Sequence, residues 1–84
     1  MTQIVNNLNI YNMNTLYADV TGTVWKIEAP LGSAVAEGDV VVIVESMKME
    51  IPMCAPCAGV VRALHVAEGD LVTEDQPVAE VGAA

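Results

Sequence analysis

From Leu16 onward the chain is a succession of short apolar runs set between turn residues, with no stretch that calls for a helix. Strands are expected at Leu16 to Val20, Thr23 to Ile27, Val40 to Glu45, Met49 to Met53, Gly59 to Leu64 and Pro77 to Val81. Ala34-Val35 and Leu71-Val72 are shorter bridges, and Gly32, Glu37-Gly38-Asp39 and Glu68-Gly69-Asp70 supply the turns. About eight short strands can bury both apolar faces only as two facing sheets, which predicts an all-β flattened sandwich or barrel. The first fifteen residues break this pattern. They carry no charge and five asparagines, and Ile4, Val5, Leu8 and Ile10 keep no period. Residues 1–15 therefore read as a loose leader, in part a start-site artefact because Met13 could itself begin the chain, ahead of a folded domain at 16–84.

The folded part repeats itself. An offset of 37 pairs Ala18 with Ala55, Gly22 with Gly59, Val24 with Val61, Gly32 with Gly69, Val35 with Val72, Val41 with Val78 and Val44 with Val81, without a gap. A second register, offset by 31, matches Ala36-Glu37-Gly38-Asp39 to Ala67-Glu68-Gly69-Asp70 but little else. The longer offset is taken as structural, and it predicts two halves related by an approximate twofold axis. Under it, the turn after Val40 to Glu45 is matched only by the start and end of the folded domain. That turn contains Met47 and Lys48, so Lys48 should project from the pole opposite the chain ends.

Composition narrows the class. Fourteen valines, five isoleucines and no phenylalanine give a core of branched aliphatic side chains, which suit pleated strands. The 84 residues make one small domain, too small for a deep pocket. A formal charge of -8 disfavours nucleic acid and anionic lipid as partners. No apolar run approaches the roughly 20 residues of a membrane span, and no signal peptide is recognisable, so a soluble cytoplasmic protein is expected.

Glu45-Ser46-Met47-Lys48-Met49 is the one segment that folding does not explain. The chain has two lysines, Lys26 and Lys48, and Met47-Lys48 suits a two-residue hairpin turn poorly, since such turns favour Asn-Gly. Two exposed methionines serve no folding purpose. With the strands around it and the downstream Ala55-Pro56-Cys57-Ala58-Gly59-Val60-Val61, the segment resembles the biotinyl domain of biotin carboxyl carrier proteins, within the biotinyl/lipoyl attachment superfamily. The resemblance covers about Ala18 to Val81. It implies a barrel-sandwich hybrid of two four-stranded antiparallel sheets with quasi-twofold symmetry, and biotin attached covalently to Lys48 on a β-hairpin tip.

That resemblance also implies partners. Amide formation needs a deprotonated amine, and an exposed lysine is almost wholly protonated at neutral pH, so attachment calls for a biotin protein ligase with an activated acyl donor, in the family biotinyl-adenylate. The carrier would then take a carboxylate at a biotin carboxylase, which uses ATP and bicarbonate, and deliver carboxybiotin to a carboxyltransferase. The carrier itself would be non-catalytic, a subunit or a domain of a longer polypeptide. Met47 and Met49, flexible and polarisable, suit recognition by several partners. Glu45 and Ser46 are weaker candidates for the same role, since strand-end polarity also accounts for them. The gapless repeat leaves no room for a protruding thumb insertion, which points to a thumbless type of carrier. Which acceptor it serves leaves no mark on the chain.

Other residues carry less. Two cysteines, Cys54 and Cys57, and the distant His65 are too few for a zinc site, and residues three apart on an extended segment are strained as a disulfide, so two free thiols are expected. Trp25 reads as a partly buried rim aromatic. Glu68, Asp70, Glu74, Asp75 and Glu80 read as a solvated face that could steer docking onto basic enzymes. Two alternatives stay open: a lipoyl carrier of a 2-oxoacid dehydrogenase or glycine-cleavage system, whose hairpin would resemble Asp-Lys-Ala, and an unmodified interaction module.

Overall fold

The computed structural model describes residues 13–83, which form eight strands and no helix. They are β1 (Met13–Tyr17), β2 (Gly22–Ile27), β3 (Ala34–Val35), β4 (Val40–Ser46), β5 (Met49–Cys54), β6 (Gly59–Leu64), β7 (Leu71–Val72) and β8 (Pro77–Gly82). Two four-stranded antiparallel sheets result, ordered β1-β8-β6-β3 and β5-β4-β2-β7. Adding 37 to the first four strands gives the last four to within one residue at an end, and the same shift converts one sheet order into the other. The expected quasi-twofold sandwich is therefore what the chain forms.

The core repeats as well. Ala18 and Ala55, Val24 and Val61, Val35 and Val72, Val41 and Val78, and Val44 and Val81 are all buried, and no charged or polar side chain is buried among the described residues. Even the irregularities come in pairs. The ladders slip by one residue at Trp25 and at Arg62, and again at Val41 and at Val78. Each slip is a β-bulge, which leaves one residue without an opposite number. At Val41-Val42 and Val78-Ala79 two consecutive side chains consequently enter the core, all four fully buried, where strict alternation would expose one of each pair.

The 31-residue register has a local cause. Ala36 to Asp39 and Ala67 to Asp70 are the same turn, each with an aspartate carboxylate 2.9 Å from the amide three residues earlier, and with Gly38 at φ 90° and Gly69 at φ 92°. The two turns occupy different places in their halves, so the match reports turn chemistry and not the repeat.

One boundary is corrected. β1 runs over Met13–Tyr17, not Leu16 to Val20, so the last three residues of the expected leader are strand. The cause is the edge of β8, whose backbone needs a partner whatever the side chains. Met13 to Tyr17 supply it, and the Thr15 hydroxyl donates to Glu80 at 2.7 Å. The strand stops at Tyr17 because Ala18 turns its backbone to Asp75 and Gln76. The rest of that leader, residues 1–12, lies outside the described residues.

Candidate functional site

β4 and β5 close in a two-residue hairpin: Ser46 pairs with Met49, and Met47 and Lys48 form the turn. Both turn residues have positive φ, 53° and 65°, the signature of a type I′ turn. That turn matches the strand twist, yet a residue with a Cβ in the left-handed region costs about 1–2 kcal/mol. Asn-Gly would relieve the strain, so the methionine and the lysine are held here against local preference. Met47 is 92 % exposed and Met49 64 %, and Lys48 is exposed between them.

The base of the hairpin is fixed from the side. Ser46 donates its hydroxyl to the carbonyl of Thr21 at 2.9 Å, and the Thr21 hydroxyl accepts the Glu74 amide at 3.0 Å. The loop 18–21 is pinned in turn by Ala18 to Gln76 and Asp75 to Ala18 backbone bonds of 2.9 and 2.8 Å. Gly22 then passes so close to β4 that a Cβ on it would overlap the carbonyl oxygen of Glu45. Ser46 is thus half-buried and occupied within the fold, whereas Glu45 is exposed. Glu45 stands directly opposite Glu50 across the hairpin, an arrangement of like charges that costs stability and sets two carboxylates behind the lysine.

These contacts also fix the poles. The turn before β8 sits against loop 18–21 at the hairpin end, and β8 then runs six residues away to Gly82, where it pairs with Met13. At about 3.4 Å per residue the described chain ends lie roughly 20 Å from the hairpin end.

The remaining candidates are elsewhere. Cys54 and Cys57 are free, half-buried thiols, the latter accepting the Asn14 side-chain amide at 3.2 Å. The imidazole Nε2 of His65 lies 3.1 Å from Glu80 on the other sheet. Trp25 is 49 % exposed at its bulge. Thr21 and Gly22 were not foreseen as supports of the hairpin. Gly22 did leave a signal in its match to Gly59; Thr21 left none, because its carbonyl is what Ser46 uses.

A two-sheet sandwich that presents one lysine on a strained, braced hairpin is a carrier domain of the biotinyl/lipoyl type. The chain belongs to the family described as "Biotin-requiring enzyme", which it matches over residues 17–81. It is 37 % identical over 67 residues to the biotin/lipoyl attachment protein of Bacillus subtilis, covering 80 % of this chain and 92 % of that protein. It is 41 % identical over 59 residues to the biotin carboxyl carrier protein of Streptococcus mutans, covering 70 % of this chain and 45 % of that one. Among solved structures it is similar to the urea carboxylase of Kluyveromyces lactis, with a TM-score of 0.79 and 36 % identity, over 82 % of this chain and 6 % of that one. No helix among the described residues is long and apolar enough to cross a membrane.

Proposed function

We propose that this chain is the biotin carboxyl carrier component of a biotin-dependent carboxylase, with biotin joined by an amide to the Nζ of Lys48. The observation that carries the proposal is Lys48 itself, held at φ 65° between two exposed methionines in a member of a biotin-requiring family. Biotin supplies a ureido ring able to carry a carboxylate; the chain supplies position. Ser46, Thr21 and Gly22 brace the hairpin, the type I′ turn aims the lysine outward, and the domain contributes no catalytic group of its own. Met47, Met49 and Glu45 are the exposed side chains that a biotin protein ligase, a biotin carboxylase and a carboxyltransferase would meet first. The activity belongs in the cytoplasm, where ATP and the ligase are at hand.

Lipoate on the same lysine is the second reading, and the name of the Bacillus relative, which covers both groups, is what favours it. Intact mass after co-expression with a biotin ligase, and separately with a lipoyl ligase, decides between them. One biotin adduct is expected on the wild-type chain and none on Lys48→Arg, with the fold unchanged. An adduct on Lys26, or modification by the lipoyl ligase alone, would overturn the proposal.

A further inference from the structure

The 37-residue repeat makes each sheet a control for the other, because the two share one backbone plan. Across the outer face of β5-β4-β2-β7 lie Leu71, Trp25, Ile43 and Pro52, with Leu71 78 % exposed and Trp25 49 %, and beside them Lys26, opposite Ile43, whose Nζ lies 3.2 Å from the Glu28 carboxylate. The equivalent positions on β1-β8-β6-β3 hold Ala34, Arg62, Glu80 and Thr15. Those polar groups are engaged within the chain: Thr15 and His65 both meet Glu80, and the Arg62 guanidinium reaches the Ala83 carbonyl. Tyr17, on the edge strand, is the large apolar side chain exposed on that face. Folding therefore does not require large apolar side chains on an outer face, and the sheet that bears the hairpin carries more of them, with Lys26 as its charged member between Trp25 and Ile43.

We infer that this face is a docking surface for the biotin carboxylase, a conclusion that rests on the carrier reading of Lys48. The face is continuous with the tip: one outward-facing row, Glu45 and Glu50, separates Ile43 and Pro52 from the hairpin turn and its flanking Ser46–Met49 pair, the intervening Val44 turning into the core. Four strands about 4.8 Å apart and six residues of about 3.3 Å each give a face of roughly 300–400 Å² in projection. A stable pair needs about 800 Å² from each partner, and a second copy of this chain would set Glu45 and Glu50 against their own counterparts. The occupant is a basic surface, held briefly. An enzyme that binds ATP and bicarbonate, both anions, must present positive potential around its site. The ligase binds ATP too, but its reacting atom is the lysine Nζ, so the tip suffices for it. An enzyme acting at the far end of a flexible arm has to hold the domain by a surface set back from the tip.

The test compares the wild-type domain with Trp25→Thr/Leu71→Ala and with Tyr17→Thr, each biotinylated, as substrates of a biotin carboxylase that turns over with the wild type. Bicarbonate-dependent ATP hydrolysis is followed against carrier concentration. The double variant is expected to raise KM about tenfold with kcat within twofold, since a few central apolar side chains carry most of a docking energy. Tyr17→Thr should change neither parameter, and attachment by the ligase should stay within twofold for all three. Leu71→Ala alone, which places on β7 the residue that β3 already carries, keeps the test open if the double variant does not fold. An unchanged KM, an equal rise for Tyr17→Thr, or a parallel loss with the ligase would overturn the assignment. A wild-type domain that takes no biotin would remove the carrier reading first, and the docking face with it.

Discussion

Gly22→Ala and Gly59→Ala are the sharpest pair of perturbations the fold offers, because the two glycines make one contact at opposite poles. A methyl on Gly22 would overlap the carbonyl oxygen of Glu45, 2.9 Å from Val44 Cγ1 and 3.1 Å from the Glu45 carbonyl carbon. A methyl on Gly59 would overlap the carbonyl oxygen of Gly82, 3.0 Å from its carbon and 3.2 Å from Val81 Cγ1. Neither obstacle is the loose end of a side chain, so a strand must move by roughly 1 Å to restore a carbon–oxygen separation of about 3.3 Å. Overpacking of this kind costs about 2–3 kcal/mol, and in a domain this small each kilocalorie lowers Tm by about 4–8 °C. Both variants should therefore melt roughly 10–20 °C below the wild type. Their functional effects should diverge, because only Gly22 leans on the strand that carries Lys48. A displacement of about 1 Å at a reacting group can cost up to about 100-fold in rate. Initial rates of biotin attachment, taken at a temperature where circular dichroism shows both variants folded, should fall about 10- to 100-fold for Gly22→Ala. For Gly59→Ala they should stay within about threefold. Equal losses in attachment would refute the claim that Gly22 positions the hairpin, and unchanged melting would refute the contact itself.

Two further substitutions probe the tip. Ser46→Ala removes the hydroxyl that Thr21 accepts and should lower stability by about 1 kcal/mol in urea titration; no loss would mean the bond does not brace the hairpin. Met47→Asn puts a residue tolerant of positive φ into the turn, and should raise stability by about 0.5–1 kcal/mol while slowing attachment at least about fivefold. A gain in stability with unaltered attachment would show that Met47 is not read by the ligase.

Much of the fold was legible because the sequence states it twice. The match of Val24 to Val61 and Val44 to Val81 marks core positions that any single valine run would leave ambiguous, and the offset of 37 carries the strand order with it. The bulges were not legible. Val41-Val42 reads as one apolar run, and nothing in it says that both side chains point inward; the slip that turns them is a backbone event. The start of β1 was missed for a related reason. Asn14 argues against a strand by propensity, but the open edge of β8 recruits backbone and is indifferent to that preference. At the tip, Lys48 stood out through the motif Glu45-Ser46-Met47-Lys48-Met49, with a turn chemistry unsuited to a plain hairpin as the lesser sign. Ser46 reads there only as a recognition candidate; its bracing role was not legible, because its partner is a main-chain carbonyl 25 positions away.

The repeat then separates folding from function more cleanly than burial does. Positions where the halves agree are mostly those the sandwich needs: the buried valines, and the glycines at 22 and 59 that let neighbouring strands approach closely. Where the halves differ, the fold has accepted either residue, and the choice must come from something outside it. Trp25 against Arg62, Leu71 against Ala34 and Ile43 against Glu80 are such choices, and all three place the larger apolar residue on the sheet of the hairpin. The positive-φ turn is the same kind of choice made at the tip, since Met47 and Lys48 both stand where the backbone favours other residues. A domain folded from two near copies of one half acquires direction only through these differences, and here they gather around Lys48.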